Sequence, residues 1–339
     1  MKHLFYTRNS NNLDCIPDKS VQLIVTSPPY PMIEMWDNIF GLQDREITSD
    51  IQNNPKVAFR KMHYILNKTW IECDRVLADN CFICINIGDT LRTINNKFEL
   101  YSNHTEIINF FSNRGYSVLP DIIWHKTTNS PNKFMGSGMY PAGAYITHEH
   151  EYILIFRKGG NRVFNNEEKE IRKESAYFWE ERNMWFSDLW NIHGTSQAIT
   201  NTKTRKRNGS FPFEIPYRLI NMYSIKGDTV LDPFGGLGTT SLACIASERN
   251  SISVDIDNEI TNMAINNLSS SCDYMNSVVN DRINRHIKYV DSLEDEKKPK
   301  YFNYNHSCYV KTKQEEKIKL NMIHNIETKN NQINIFYED

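Results

Sequence analysis

The sequence has no long hydrophobic run: no apolar stretch approaches the ~20 residues that a membrane-spanning helix needs. Its first residues, Met1-Lys2-His3-Leu4, also lack the extended apolar region of a secretory signal. We therefore expect a cytoplasmic protein with no membrane partner.

An excess of charge of one sign is also missing. The formal net charge is -2 and the isoelectric point is about 6.6, so the chain as a whole offers no attraction to phosphate. Any surface that binds nucleic acid must then be a local basic patch.

Cysteine spacings typical of a disulfide framework or a zinc site are missing as well. The seven cysteines are odd in number and scattered, which fits a reducing compartment. Cys81 and Cys84 form a C-x-x-C within a strand-like segment, but no second cysteine pair lies nearby, which favours structural thiols over a metal site. We expect no metal.

The sequence does contain enough apolar residues for a large core, 40% of 339 residues. A chain of this length folds as one domain with insertions or as two domains. Two motifs each follow a short apolar run. Thr26-Ser27-Pro28-Pro29-Tyr30 comes after residues 21–25, and the glycine-rich segment 232–240 comes after residues 229–231. Such runs predict buried parallel strands, and ligands of open α/β sheets bind where these strands end.

The glycine-rich segment has the features of a nucleoside-binding loop. Its glycines let the backbone approach a ligand closely, and a helix beginning near Thr239 would point free N–H groups at an anion. Asp255 ends the next predicted strand and is the residue type that binds the two hydroxyls of a ribose. A phosphate-binding loop is excluded, because no lysine stands at the required place.

A ligand with a nucleoside at one end and a small anion nearby fits this loop, and S-adenosyl-L-methionine has that shape. A glycine-rich turn alone would more often be structural, but the downstream acid favours the ligand. The candidate cofactor-binding residues are Asp232, Pro233, Phe234, Gly235, Gly236, Gly238, Thr239 and Asp255.

The earlier motif suits a planar base that carries an exocyclic amine. Pro28 and Pro29 stiffen the backbone, so the carbonyls of Ser27 and Pro28 are presented rigidly. The Ser27 hydroxyl is a further acceptor and Tyr30 offers an aromatic face for stacking. The candidate catalytic residues are Ser27, Pro28, Pro29 and Tyr30.

The two motifs together, in this order, closely resemble those of the amino-methylating DNA methyltransferases of restriction-modification systems, in the permuted arrangement where the catalytic motif precedes the cofactor motif. Residues 20–25, 211–220 and 252–257 resemble further segments of that family. In place of a Gly-Asp that the family often has near the first strand, this chain has Arg8-Asn9-Ser10.

The resemblance implies an α/β fold with a doubly wound, mostly parallel seven-stranded sheet, circularly permuted so that the strands of Leu4 and Asp255 are neighbours. It implies S-adenosyl-L-methionine as methyl donor, a flipped-out base of double-stranded DNA as acceptor, and a cognate restriction endonuclease as functional partner. We expect a bacterial or archaeal, nucleoid-associated protein that is a monomer or homodimer.

The choice of base rests on Ser27. Carbon-5 methylation of cytosine needs a cysteine nucleophile, typically after a proline, and no cysteine here follows one. Serine at this position resembles the cytosine-N4 subgroup, whereas the adenine subgroup more often has Asp or Asn. Cytosine N4 is the prediction, and adenine N6 on the same fold is the alternative.

Four segments are predicted: a catalytic half (1–156), a DNA-recognition insertion (157–209), a cofactor-binding half (210–268) and a C-terminal extension (269–339). The insertion is rich in aromatics and ends in the basic run of Lys203, Arg205, Lys206 and Arg207, the predicted DNA contacts. A solvated loop over a small aromatic core explains the same run equally well. Other candidate base-reading residues are His125, Lys126, Asn129, Arg182 and Gln197.

Two further classes of protein compete with this prediction. A binding module that had lost catalysis would be expected to have damaged one of the two loops, and both are intact. A methyltransferase acting on small molecules or proteins would have less reason for the aromatic and basic insertion.

Overall fold

The computed structural model describes residues 1–127, 140–143, 145–194 and 211–338. In chain order the strands are β1 (Lys2–Thr7), β2 (Val21–Thr26), β3 (Leu77–Ile87), β4 (Thr90–Ile94), β5 (Lys97–Tyr101), β6 (Ser117–Val118), β7 (Ile122–Thr127), β8 (His150–Arg157), β9 (Leu189–His193), β10 (Thr229–Asp232), β11 (Asn250–Asp255), β12 (Tyr301–Asn303), β13 (Cys308–Val310), β14 (Ile323–Lys329) and β15 (Gln332–Tyr337).

The helices are α1 (Asp37–Gln43), α2 (Glu46–Asn53), α3 (Pro55–Val76), α4 (Asn103–Asn113), α5 (Asn166–Glu174), α6 (Trp179–Trp185), α7 (Glu214–Tyr223), α8 (Thr239–Ile245), α9 (Asn258–Ser269) and α10 (Cys272–Asp291). Short 3-10 turns lie at Glu34–Trp36, Asp295–Lys297 and Lys313–Glu315. None of the helices in the described ranges is long and apolar enough to cross a membrane.

One large sheet organises the described residues, in the order β14-β15-β1-β11-β10-β2-β3-β8-β7-β9, with β6 beside β8. The run from β1 to β3 is parallel. Strand β8 is antiparallel to both of its main neighbours, β3 and β7. The predicted α/β fold with a mostly parallel sheet is therefore confirmed, and β1 indeed pairs with β11.

The sheet is longer than the seven strands expected. Those seven are the consecutive strands from β1 to β7 in the sheet order. Strands β14 and β15 come from the C-terminal extension and pair antiparallel at one edge, whereas β9 comes from the insertion and pairs with β7 at the other. The sequence of the extension predicts a strand-like piece at 333–337, which lies in β15, but the family resemblance did not place it in the sheet.

Strand β2 shows why the sheet is covered on both faces. Val21 and Ile24 belong to the core on one side, together with Trp70 of α3. Leu23 and Val25 belong to the core on the other side, with Ile215 of α7. An apolar run without strict alternation is typical of a strand buried on both faces.

Several local predictions differ from the structure. The segment from Val118 to Trp124 predicts a single strand, but the structure has two, β6 and β7, separated around Pro120, which has no N–H to donate to a ladder. Residues 90–101 form a hairpin, β4 and β5, that was not predicted. Its two-residue turn has positive φ at both Asn95 and Asn96, a conformation that asparagine tolerates better than most residues.

Candidate active site

The two motifs lie next to each other at the carboxyl ends of β2 and β10. These strands are parallel neighbours, with Leu23 opposite Val230 and Ile24 opposite Leu231. Residues of both motifs line one cavity of about 760 Å³. The predicted convergence of the two loops on adjacent strands is therefore confirmed.

Asp232 joins the two loops. Its carboxylate accepts hydrogen bonds from the hydroxyls of Thr26 and Thr240, each at 2.6 Å, and from the backbone N–H of Phe234 at 3.1 Å. Burial raises the pKa of Asp232 to about 6, although these donors favour the ionised form. Because both oxygens are engaged within the protein, Asp232 fixes the spacing between the catalytic and cofactor loops.

The glycine loop is shaped by the neighbouring strand β11. The N–H of Gly235 donates to the Val254 carbonyl at 2.9 Å, and a Cβ added at Gly235 would lie 1.8 Å from the Ser253 hydroxyl. Gly236 and Gly238 have positive φ, 49° and 81°. These glycines are thus required by close approach and by backbone conformation.

Asp255 lies in the cavity wall at the end of β11. One of its oxygens accepts from the N–H of Gly236 at 3.0 Å and the other from the N–H of Asp257 at 2.9 Å. Burial raises the pKa of Asp255 above its ordinary value. The backbone N–H of Ile256 is a third donor to this carboxylate. A carboxylate has about four lone-pair sites, so Asp255 can still accept a hydrogen bond from a ribose hydroxyl.

The cavity beside Asp255 has walls suited to an adenine ring. They include apolar side chains of the segment after β2, the glycine loop and the segment after β11: Ile33, Trp36, Ile39, Phe234 and Ile256. A carboxylate at the end of an apolar slot, next to a glycine-lined backbone, fits the nucleoside and the small polar end of S-adenosylmethionine. On this chemistry, Asp255 would hold the ribose, and Gly235 and Gly236 would face the amino acid portion.

The sequence motifs did not include the Arg8–Asn11 segment, which also lines the cavity. The Ser10 hydroxyl donates to the Pro233 carbonyl at 2.5 Å, and the side chains of Asn9 and Asn11 donate to Gln43 of α1 at 3.1 and 3.2 Å. The segment stands where the family often has Gly-Asp, and here it ties the first strand to the cofactor loop and to α1.

Tyr30 is held by a polar network rather than left free. Its ring is only 8% exposed, and its hydroxyl lies 3.1 Å from the Ser27 hydroxyl and donates to Glu151 at 2.8 Å. Burial, with the charge of Glu151, raises the pKa of Tyr30 well above its ordinary value. The hydroxyl therefore stays neutral and orients Ser27.

The other members of this network were not predicted as a group. Asn86 of β3, Lys126 of β7 and Glu151 of β8 all line the cavity, and the Lys126 ammonium pairs with Glu151. The sequence carried one usable signal, a glutamate at the start of the apolar run 151–156. Trp124 and Phe211 form apolar walls at the same end of the cavity.

The predicted DNA contacts are only partly described. Lys203, Arg205, Lys206 and Arg207 lie outside the described residues, as do Asn129 and Gln197. Lys126 lines the catalytic cavity. His125 shares a hydrogen bond of 2.9 Å with Asn191 of β9, and Arg182 lies on α6 beside Asn183.

This sheet, with a cavity between two strand-end loops, has the fold of the S-adenosylmethionine-dependent DNA methyltransferases. Residues 21–266 match the family model of DNA methylases that groups N6- and N4-methyltransferases. That match covers more than half of the chain, so the chain belongs to this family. It is an S-adenosylmethionine-dependent DNA methyltransferase.

Relatives and solved structures agree with this assignment. The chain is 47% identical to the type II methyltransferase M.MthZI of Methanothermobacter thermautotrophicus, over 99% of this chain and 95% of that protein. It is 47% identical to M.MjaI of Methanocaldococcus jannaschii, over 76% of this chain and 88% of that protein.

Among solved structures, TTHA0409 of Thermus thermophilus, a proposed DNA modification methylase in complex with S-adenosyl-L-methionine, has a TM-score of 0.62 and 27% identity, over 79% of this chain and 93% of that chain. The cytosine-N4-specific PvuII DNA methyltransferase has a TM-score of 0.55 at 16% identity, over 76% of this chain and 82% of that chain. The second likeness concerns the fold alone.

Proposed function

We propose that this enzyme methylates the exocyclic N4 amine of a flipped-out cytosine in a specific site of double-stranded DNA, and so protects the DNA from a cognate restriction endonuclease. The observation that carries the proposal is Ser27. A neutral hydroxyl, oriented by Tyr30 at 3.1 Å, stands at the position where the adenine-specific subgroup more often has Asp or Asn.

An exocyclic amine is a poor nucleophile because its lone pair is delocalised into the ring. S-adenosylmethionine supplies an electrophilic methyl group. The Ser27 hydroxyl and the Pro28 carbonyl accept the two amine hydrogens away from the ring plane, which localises the lone pair toward the methyl donor. No covalent intermediate is needed, because positioning and electrostatics lower the barrier.

The base must leave the duplex stack to reach this cavity, at a cost of a few kcal/mol. We assign the offsetting DNA contacts to the insertion 157–209, with the basic run of Lys203, Arg205, Lys206 and Arg207 on the phosphates. In support, strand β9 of the insertion pairs with β7. Strand β7 carries Lys126, which lines the catalytic cavity.

The direct test is methyl transfer from labelled S-adenosylmethionine to unmethylated duplex DNA, followed by nucleoside analysis. We expect N4-methylcytosine. Recovery of N6-methyladenine instead would select the alternative base. Intact cofactor binding without DNA labelling would overturn the proposal.

Removing the Ser27 hydroxyl tests its role. In Ser27→Ala we expect turnover to fall about 100- to 1,000-fold, as when one such polar contact to a transition state is lost. The dissociation constant for S-adenosylmethionine should change less than about twofold, because the proposed partner of Ser27 is the base. Time courses of DNA methylation measure the turnover, and calorimetric titration measures the dissociation constant for S-adenosylmethionine.

A matched control is Ser292→Ala, since the Ser292 hydroxyl is exposed and donates to the Tyr289 carbonyl at 2.7 Å. It should leave both quantities unchanged. Equal losses of turnover and cofactor affinity in Ser27→Ala would contradict the assigned role.

A further inference from the structure

Tyr30, Lys126 and Glu151 form a wall between two cavities. The three residues line the cavity that contains the catalytic and cofactor loops. They also line a second cavity of about 910 Å³ on the other side, next to β4 and the start of β8. A polar path therefore connects Ser27 with a separate opening of the protein.

The hydrogen bonds along this wall have a defined direction. The Asn86 amide donates to the Tyr30 hydroxyl at 2.8 Å and to Glu151 Oε2 at 2.6 Å. The opposite amide orientation would place a carbonyl oxygen against the carboxylate, which is repulsive. The Tyr30 hydrogen must then point to Glu151, 2.8 Å away, and the Ser27 hydroxyl donates to the Tyr30 oxygen.

We propose that Ser27, Tyr30 and Glu151 form a proton relay that takes up the proton released when the amine is methylated. This inference rests on the proposed function, amine methylation at Ser27, but applies to a cytosine or an adenine amine alike. It adds two residues, Tyr30 through its hydroxyl and Glu151, to the reaction.

The amine lone pair forms the new N–C bond while the S–C bond breaks and its electron pair stays on sulfur. An N–H bond of the amine breaks and its proton passes to the Ser27 oxygen. The Ser27 hydrogen moves to the Tyr30 oxygen, and the Tyr30 hydrogen moves to Glu151 Oε2, which becomes a neutral carboxylic acid.

The surroundings of Glu151 suit a terminal proton acceptor. Glu151 is 8% exposed. The Lys126 ammonium pairs with its Oε1, which leaves Oε2 for the Tyr30 hydroxyl and the Asn86 amide. Lys126 itself lies over the Trp124 ring at 4.9 Å. Tyr30 passes the proton on and does not keep a negative charge, since burial disfavours its phenolate.

The second cavity lets the proton leave without crossing the bound base. Asp89 is held by His104 at 2.8 Å and Arg92 by Asp37 at 2.7 Å. Burial lowers the pKa of His148, so that side chain is neutral near pH 7. The other titratable residues lining this cavity are Glu34, Glu149 and His150.

The experiment measures the single-turnover rate of DNA methylation at saturating S-adenosylmethionine and duplex DNA, in water and in deuterium oxide. The variants are Tyr30→Phe, which keeps the ring, and Glu151→Gln. The control is Tyr116→Phe, because Tyr116 makes the same hydroxyl-to-carboxylate bond, 2.8 Å to Asp74, away from both cavities.

For the wild type we expect a solvent isotope effect above one, because protons move along the relay as the amine is methylated. Both relay variants should lose about 100-fold in rate, the usual contribution of a positioned proton acceptor. They should also lose the isotope effect. Tyr116→Phe should keep the rate and the isotope effect of the wild type.

A purely structural role predicts a different result: a lower rate in Glu151→Gln or Tyr30→Phe with an unchanged isotope effect. That result would overturn the relay. If Glu151→Gln fails to fold, Glu151→Asp replaces it and should retain the isotope effect at a reduced rate; loss of the isotope effect in Glu151→Asp would overturn the relay.

Failure of the proposed function is distinct. It would show as a wild type that binds S-adenosylmethionine but methylates no amine in DNA. Failure of the relay alone would show as a methylating wild type whose relay variants keep its isotope effect.

Discussion

The absence of a side chain at Gly235 determines the path of the cofactor loop. Strand β11 passes so close that an added Cβ would lie 1.8 Å from the Ser253 hydroxyl and 3.1 Å from the Ser253 Cβ. No contact between non-bonded heavy atoms is as short as the first of these, so any larger residue must displace the loop or the strand. The glycine of the motif thus has a steric cause in the neighbouring strand.

We expect Gly235→Ala to weaken S-adenosylmethionine binding by at least about tenfold and to destabilise the protein by about 1 to 3 kcal/mol, the usual cost of overpacking. The double variant Gly235→Ala with Ser253→Ala should recover part of both losses, because it removes the 1.8 Å contact and leaves the one at 3.1 Å. Calorimetric titration and urea unfolding measure the two effects.

Gly194→Ala is the control, since an added Cβ there meets no atom of the described residues within 4 Å. It should resemble the wild type in both measurements. Unchanged cofactor affinity in Gly235→Ala, or no recovery in the double variant, would contradict the steric explanation.

At the level of elements, side-chain contacts connect α6 of the insertion with α10 of the C-terminal extension. Arg282 donates to both oxygens of Glu181, at 2.7 and 2.8 Å. His286 stacks on Phe178 with ring centroids 3.8 Å apart and lies 2.8 Å from a Glu180 oxygen. The extension therefore fixes the helix that leads to β9 and the cavity's edge of the sheet.

His286 makes this contact dependent on pH. Burial opposes its charge, but hydrogen bonds with Cys308 and Glu180 outweigh burial and raise the pKa of His286 to about 10. A raised folded-state pKa adds stability that is complete below the ordinary value of 6.5 and is lost as pH rises through about 10.

We expect the free energy of unfolding of the wild type to fall between pH 6.5 and 9.5 by on the order of 3 kcal/mol more than that of His286→Phe. Phenylalanine keeps a ring against Phe178 but cannot titrate. Urea unfolding at several pH values gives the comparison. Parallel pH dependences in the two proteins would show that His286 does not carry this stability.

At the level of the whole molecule, the two ends of the chain complete the sheet. Strand β1 lies between β11 and β15, and the Met1 amino group donates to the Ile335 carbonyl at 2.6 Å. Ile323, Ile333 and Ile335 are buried. The hairpin of β14 and β15 therefore covers an edge that would otherwise be open for pairing with another chain.

Truncation after Met322 removes this hairpin. We expect the melting temperature to fall by about 10 °C or more, from roughly 1.5 to 3 kcal/mol for each buried isoleucine lost. Aggregation should increase because β1 becomes an edge strand. Differential scanning calorimetry and light scattering test both effects.

The control for the truncation is Glu327→Ala, which changes an exposed side chain of the outer strand β14 and should leave both measurements unchanged. A truncated protein that melts with the wild type and stays monodisperse would show that the hairpin does not protect β1.

The parts of the fold that the sequence predicted are those whose signal is local. The runs at 21–25 and 229–231 became β2 and β10 because strands buried on both faces need continuous apolar residues. The segment 251–255, in which apolar residues alternate with serine, became β11. The β4–β5 hairpin and β14 were missed, because their half-exposed strands carry little apolar pattern. Whether the predicted site residues bind base and cofactor stays a prediction.

The sequence by itself determined the two loops, because the backbone restrictions of proline and the freedom of glycine are properties of single residues. It also determined that the loops lie at the same edge of the sheet, because parallel strands align their carboxyl ends. Only the tertiary structure decided which side chains surround Ser27. Asn86, Lys126 and Glu151 come from three strands whose order in the sheet differs from their order in the chain. No local pattern encodes that order, since it follows from how distant strands pack around a shared core.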